Sequence, residues 1–266
     1  MHVPYIAALA LALLLPTSGI AQPSAEADVP PASTREILER FADDYARDPM
    51  AQNITFGIAV DGDFWHVISE RDAEGTRRVH FRDGLPDEPT FYFTLSRETL
   101  DRIDAGDLSG ITASGAATSA EKTPLDSEDM AGFERPDWAE WDPIIRPLIF
   151  HFWTRGMPEI VPFGMEHARV IHGAPATGLY YFKDFRSAVY HVPPGIPDDV
   201  APTITVPFPR LLIVLEGSMR GHVDGAEFEA HEGEMILLPP NLPAWFNNDT
   251  DNEVLSLVWL MFGDGA

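Results

Sequence analysis

From about Ala168 to the C-terminus, turn residues recur at the spacing of roughly 8 to 12 positions that marks an all-β sandwich or barrel. Between Arg210 and Asn248 the run RLLIVLEGSMRGHVDGAEFEAHEGEMILLPPNLPAWFNN is cut at Gly217, at Asp224-Gly225, at Gly233 and at Pro239-Pro240-Asn241. Within it, GEMILLPPNLPAWFNN reads as a turn, a buried strand, a tight Pro-Pro-Asn corner and a second strand ending in Asn247 and Asn248. Strands this short bury their apolar faces only by stacking sheets against each other.

The first half follows another pattern. STREILERFADDYARDP places Ser33 and Glu36 at capping-box spacing and sets Ile37, Leu38, Phe41 and Tyr45 on one helical face ahead of Pro49. NITFGIAV and FWHVIS flank Asp61-Gly62 as a hairpin, and further strands are expected around Val79 and Phe81 and over TFYFTL. Ser96 then caps a short helix through Ile103, which Gly106 stops. A small-residue strand, ITASGAATSA, and a polar linker, SAEKTPLDSEDMAG, are expected next. Trp138, Trp141, Ile145, Leu148 and Phe152 recur three and four residues apart, on one face of a helix. Asp142 is its expected cap, with Pro143 in the first turn and a kink at Pro147. Such a stripe fits domain packing; the alternative is a lid over a ligand.

The chain opens with YIAALALALLL, too short to span a bilayer, then Pro16 and the small residues Gly19 and Ala21 at the places of a cleavage site. A secretory signal over residues 1–21, a leader over 22–32 and a periplasmic or secreted location are expected, without membrane insertion. Cysteine is absent, which excludes disulfides and thiolate ligands. There are 42 acidic against 18 basic side chains, a net charge of −24. From residue 161 onward the bases are only Arg169, Lys183, Arg186, Arg210 and Arg220. That field repels phosphate backbones, so nucleic acid is not an expected partner. With 266 residues, 45% of them hydrophobic, the chain has room for two domains. The expected division is an α+β domain over 33–125, a linker with the aromatic helix over 126–164, and an all-β domain over 165–266.

VDGDFWHVIS, FTLSRETLDRIDAGDL and the Ala/Gly-rich segment after them resemble the sterol carrier protein family over residues 35–125. The resemblance implies an α+β fold that binds lipids or other apolar molecules between a sheet and its helices, or an appended accessory domain. Trp65, Phe91 and Phe93 are equally compatible with a core that fills itself. The second half resembles the cupin family over residues 165–262, in the VLEG strand end, the VDG hairpin, the Gly233 turn, Pro239, and Asn248 nine positions beyond it. That resemblance implies a double-stranded β-helix, or jelly-roll barrel.

A cupin metal centre takes two His and one Glu from a first motif and one His from a second. Counting back from Gly217, the Glu place holds Arg210. The two His places hold Thr203 and Thr205, or Ile204 and Val206 if the shorter spacing applies, and the second-motif His place holds Ala244. None is a metal ligand, and a guanidinium repels a cation, so the resemblance implies a barrel with no metal and no other cofactor. His191 and His222 lie on strands that would let either face the interior; His167 and His172 flank ARVI, and His231 sits in a turn. A metal-free barrel still offers a small-molecule pocket. The expected ligand-binding set is Tyr181, His191, Thr203, Thr205, Arg210 and Trp245, around a ligand that is apolar or carries an anionic group. Arg210 needs an anionic partner, either an internal carboxylate such as Glu234 or the ligand itself. The expected function is exported small-molecule binding, without a catalytic residue. The alternatives are a metal-independent, isomerase- or lyase-like enzyme with His191 as base and Tyr181 as acid, and a structural module that forms a homodimer through the barrel.

Overall fold

The computed structural model describes residues 31–116, 120–154, 160–196 and 203–266. The expected signal segment lies outside the described residues, as does the leader up to residue 30. Ser33–Ala266 form one unit.

Helix α1 (Thr34–Arg47) begins at the reciprocal box read from the sequence: the Ser33 hydroxyl accepts from the Glu36 N–H, and the Glu36 carboxylate accepts from the Ser33 N–H. Its buried face holds Ile37, Leu38, Phe41 and Tyr45. Strands β1 (Ile54–Val60) and β2 (Asp63–Arg71) form the hairpin, with Asp61 and Gly62 both at positive φ. Strand β3 (Arg77–Asp83) extends it antiparallel, whereas β4 (Phe91–Leu95) runs parallel to β1 on its other side. Helix α2 (Arg97–Ala105) is capped by Ser96 and closed by Gly106 at φ 80°, a left-handed turn that suits glycine.

Two expectations fail here. The segment ITASGAATSA is not a strand over its described residues: Gly110–Ser114 form a short helix, α3, capped by Ser109. The fifth strand, β5 (Leu125–Asp129), comes from the expected linker and pairs antiparallel with β4, completing the order β3-β2-β1-β4-β5. LDSED carries one apolar residue, so it has no alternation to read. Its polar side chains suit the sheet edge that it occupies.

Helix α4 (Trp138–Phe152) is capped by Asp137, not Asp142, and contains both Pro143 and Pro147. Trp141, Ile145, Leu148 and Phe152 are buried, but Trp138 is 60% exposed. The Phe152 ring lies 5.0 Å from Phe56 and 5.6 Å from Tyr45, and Trp141 lies 4.7 Å from Phe91. The stripe therefore closes the apolar face of the five-stranded sheet. The helix also meets the second half of the chain, where Phe150 packs 4.8 Å from Tyr180. At its end, His151 Nδ1 stands 2.7 Å from Asp48 Oδ2, both side chains buried.

The second half comprises β6 (Arg169–Ile171), β7 (Ala174–Phe182), β8 (Phe185–Val192), β9 (Arg210–Glu216), β10 (Ser218–Val223), β11 (Ala226–His231), β12 (Met235–Leu238), β13 (Ala244–Asn248) and β14 (Leu255–Phe262). A six-stranded antiparallel sheet, β12-β9-β14-β8-β7-β6, faces a three-stranded one, β11-β10-β13. From β9 onward the chain crosses between sheets at every connection except the β10–β11 hairpin. This is a jelly-roll barrel. Leu212, Val214, Met219, Leu238, Leu257 and Trp259 line the inner faces of the two sheets as a buried apolar cluster. Asn248 ties its lower corner: its amide donates to the carbonyls of Val192 (2.9 Å) and Glu253 (2.7 Å).

Candidate functional site

Side chains alternate across a strand, so the core residues identify the inner face. Leu212 and Val214 on β9 point inward, and Arg210, two residues earlier, shares their face. Register extends that face as a row: Leu238, Arg210, Met261, Arg186 and Tyr181, on β12, β9, β14, β8 and β7. Arg210 is only 1% exposed. One Nη donates to the Ile204 carbonyl at 3.3 Å, and Nε has no hydrogen-bond partner among the described residues. Burial lowers its pKa from the ordinary guanidinium value. Glu234, the envisaged internal partner, instead accepts from the His231 backbone N–H at 2.8 Å. In the next row inward, Trp259 pairs with Leu212, and its buried Nε1–H likewise finds no acceptor among the described residues. The Tyr190 ring packs 5.2 Å from Trp259, and burial pushes its hydroxyl up to about 12. The inner face thus presents donors and a positive charge within apolar walls.

Ile204 forms a bridge to Ala244, exchanging hydrogen bonds of 2.9 and 3.1 Å, and both side chains join the barrel core. The shorter motif spacing is therefore the one that points inward. Thr203 and Thr205 are exposed on the other face, contrary to the expected placement. At the places where the cupin resemblance would put metal ligands stand Ile204, Ala244 and Arg210, two apolar groups and a cation. These residues do not fit a metal ion. Among the described residues, no group of three or more His, Asp or Glu side chains is placed to hold one.

The remaining expected residues do not gather around Arg210. Trp245 is on the outer face of β13, its ring 5.5 Å from that of His222, so neither lines the interior. Tyr181 ends the inner row but is buried under α4. It donates to Asp142 at 3.2 Å, between the guanidinium groups of Arg146 and Arg186. Burial is the largest cause that pushes its hydroxyl up to about 12; the two arginines oppose the rise and Asp142 adds to it. His191 lies five residues from Arg186 on β8, hence on the opposite face of the sheet. The expected acid–base pair, Tyr181 and His191, is therefore separated by the sheet itself.

His191 has its own surroundings, which sequence reasoning missed. Its Nδ1 is 3.1 Å from Ser256 Oγ, directly across on β14, and its Nε2 is 2.9 Å from the Phe163 carbonyl oxygen. Both side chains line a cleft of about 390 Å³, together with Phe163, Leu215, Glu216 and Glu232. Ser256 was legible as the lone hydroxyl in the apolar strand LSLVWLMF. Its partner was not, because pairing across strands depends on register.

No protein-family model matches the chain, and no curated protein matches it. Among solved structures the likeness is to cupin-domain proteins. A cupin 2 conserved barrel domain protein from Salinispora arenicola is 22% identical with a TM-score of 0.35, over 40% of this chain and 88% of that one. An RmlC-like cupin from Shewanella frigidimarina is 14% identical with a TM-score of 0.31, over 36% of this chain and 80% of that one. The cupin domain of Schizosaccharomyces pombe Cnp3 is 14% identical with a TM-score of 0.32, over 56% and 81% respectively. At such identities and scores none of them carries a ligand or an activity over to this chain. The barrel stands on its own strand pairing.

Proposed function

We propose that the protein is an exported binder of a small molecule with an apolar body and one anionic group, held in a barrel that takes no metal. The observation that carries this reading is Arg210, 1% exposed and, among the described residues, hydrogen-bonded only to the Ile204 carbonyl. An uncompensated buried cation costs several kcal/mol, on the order of the stability of a small domain. A carboxylate or phosphate at that guanidinium would offset the cost with charge-assisted, bidentate hydrogen bonds. The Trp259 Nε1–H is a second inward donor for such a ligand. Apolar walls from Leu212, Val214 and Leu257 suit the rest of the molecule. Export rests on the signal-like segment at residues 5–21.

The first half, sterol-carrier-like in its phrasing, serves in this reading as an accessory. The space between its sheet and helices, where that family holds apolar molecules, is filled by Phe41, Phe56, Phe152 and Trp153.

The test is thermal unfolding with octanoate and with phenyl phosphate, on wild type and on Arg210→Met. A ligand at 100 times its Kd should stabilise wild type by about 2.7 kcal/mol, and the variant should lose the shift. No shift in wild type from either anion, or an equal shift in the variant, would sink the reading.

A further inference from the structure

We propose that Ser256 and His191 form a nucleophile–base pair able to hydrolyse small esters in the cleft on the outer side of the six-stranded sheet. This site is distinct from the Arg210 face and does not depend on it. The argument begins with the proton on the imidazole. A carbonyl oxygen only accepts, so the 2.9 Å contact to Phe163 O places the proton of the neutral ring on Nε2. Nδ1 is then bare, and the 3.1 Å contact to Ser256 makes the serine hydroxyl the donor. A hydroxyl donating to an imidazole that a third group holds in one tautomer is the arrangement of an activated serine. Here a backbone carbonyl is the orienting group, and its hydrogen bond strengthens when the ring becomes cationic.

The surroundings suit the chemistry. His191 is 7% and Ser256 8% exposed, yet both border a cleft of about 390 Å³, within the range of small-molecule sites. Beside the serine, β9 carries an extra residue, Leu215, between Val214 and Glu216, a bulge that bends β9 and sets Glu216 opposite Ser256. Phe163 and Leu215 supply apolar wall. Glu216, paired opposite Ser256, and Glu232 make the cleft negative, which excludes anionic acyl groups and selects neutral or cationic esters.

The steps balance without a cofactor. Ser256 Oγ attacks the ester carbonyl carbon as its proton passes to His191 Nδ1. The imidazolium returns that proton to the departing alkoxide as the C–O bond breaks, leaving acyl-Ser256 and an alcohol. Water then gives a proton to Nδ1 and attacks the acyl carbon. The carboxylic acid leaves as Oγ recovers its proton.

A purely structural clip would make the same hydrogen bonds, so the test reads reactivity. The full chain is incubated with a neutral alkyl fluorophosphonate, which forms an Oγ–P bond and loses fluoride, and in parallel with 4-nitrophenyl butyrate. The expected result is one adduct per chain, mapped to Ser256 by peptide mass spectrometry. Ser256→Ala and His191→Gln, whose amide can still donate to Phe163, should each lose labelling and ester turnover by about 10²-fold or more. Wild type that takes up no adduct, an adduct mapped to another residue, or wild-type labelling of folded His191→Gln overturns the proposal. If either variant does not fold, the wild-type adduct site decides the question alone.

Discussion

Replacing Arg210 by Met should stabilise the ligand-free protein. Methionine replaces the unbranched apolar stem of the side chain and omits only the guanidinium end, so most of the row between Leu238 and Met261 stays filled. What is lost is the 3.3 Å bond to the Ile204 carbonyl, worth about 1 kcal/mol. What is gained is relief from burying a guanidinium that has no ion pair among the described residues, a penalty of several kcal/mol per ion. The net expectation is stabilisation by about 2 kcal/mol, inside the 1–4 kcal/mol range found when buried ionic groups give way to apolar ones. For a unit of this size that is a rise of about 4–8 °C in Tm. Urea unfolding at pH 7 measures it directly, provided both proteins are first unfolded and refolded to remove any anion carried through purification. The midpoint should move up at unchanged slope. A variant destabilised by more than about 1 kcal/mol would refute the reasoning, since it would show the charge compensated within the fold.

Phe152→Ala, which empties a fully buried ring site among Phe41, Tyr45 and Phe56, should cost about 3–5 kcal/mol in the same assay; a cost under 1 kcal/mol would instead suit a helix that lifts as a lid. Burial by itself would raise the Asp48 pKa, but the hydrogen bonds from His151 and the Met50 N–H, with the charges of His151 and Arg77, outweigh it and hold it below the ordinary carboxylate value. Its contribution to stability is therefore complete above the unfolded value near pH 4 and lost as pH falls through the folded one. Asp48→Asn should flatten acid unfolding below about pH 4, and an unchanged acid limb would remove Asp48 from the account. Gly221→Ala should destabilise by about 1–3 kcal/mol, because a Cβ there would stand 2.2 Å from the Trp245 carbonyl; differential scanning calorimetry reads it, and a neutral result would mean that β10 and β13 separate easily. Added zinc, or removal of metals with EDTA, should leave Tm unchanged; a rise of several degrees with zinc would reveal ligands other than those at Ile204, Ala244 and Arg210.

Features with local causes were legible in the sequence. The Ser33–Glu36 box, the Asp61-Gly62 hairpin and the Gly106 stop each follow from a few neighbouring residues. The turn cadence after Ala168 likewise pointed to a stacked-sheet domain, while the interior placement of Ala244 and Arg210 was implied by the cupin resemblance and not by the cadence. Only the tertiary structure decided which way the other candidates face. A shift of one residue in register turns a strand over, and β8 offers no alternation to choose by: Val189 on one face and Val192 on the other are both buried. His191 was therefore free to be read toward Arg210, while the fold turns it toward Ser256 and the Phe163 carbonyl. Thr203, Thr205 and Trp245 face outward for the same reason, since their direction is set by pairing with Ala244 and His222 and not by their own side chains. β5 and the Asp137 cap of α4 were hidden differently. A polar edge strand and one of several acidic residues ahead of a helix become recognisable only once the neighbouring strand and the helix face to be buried are in place.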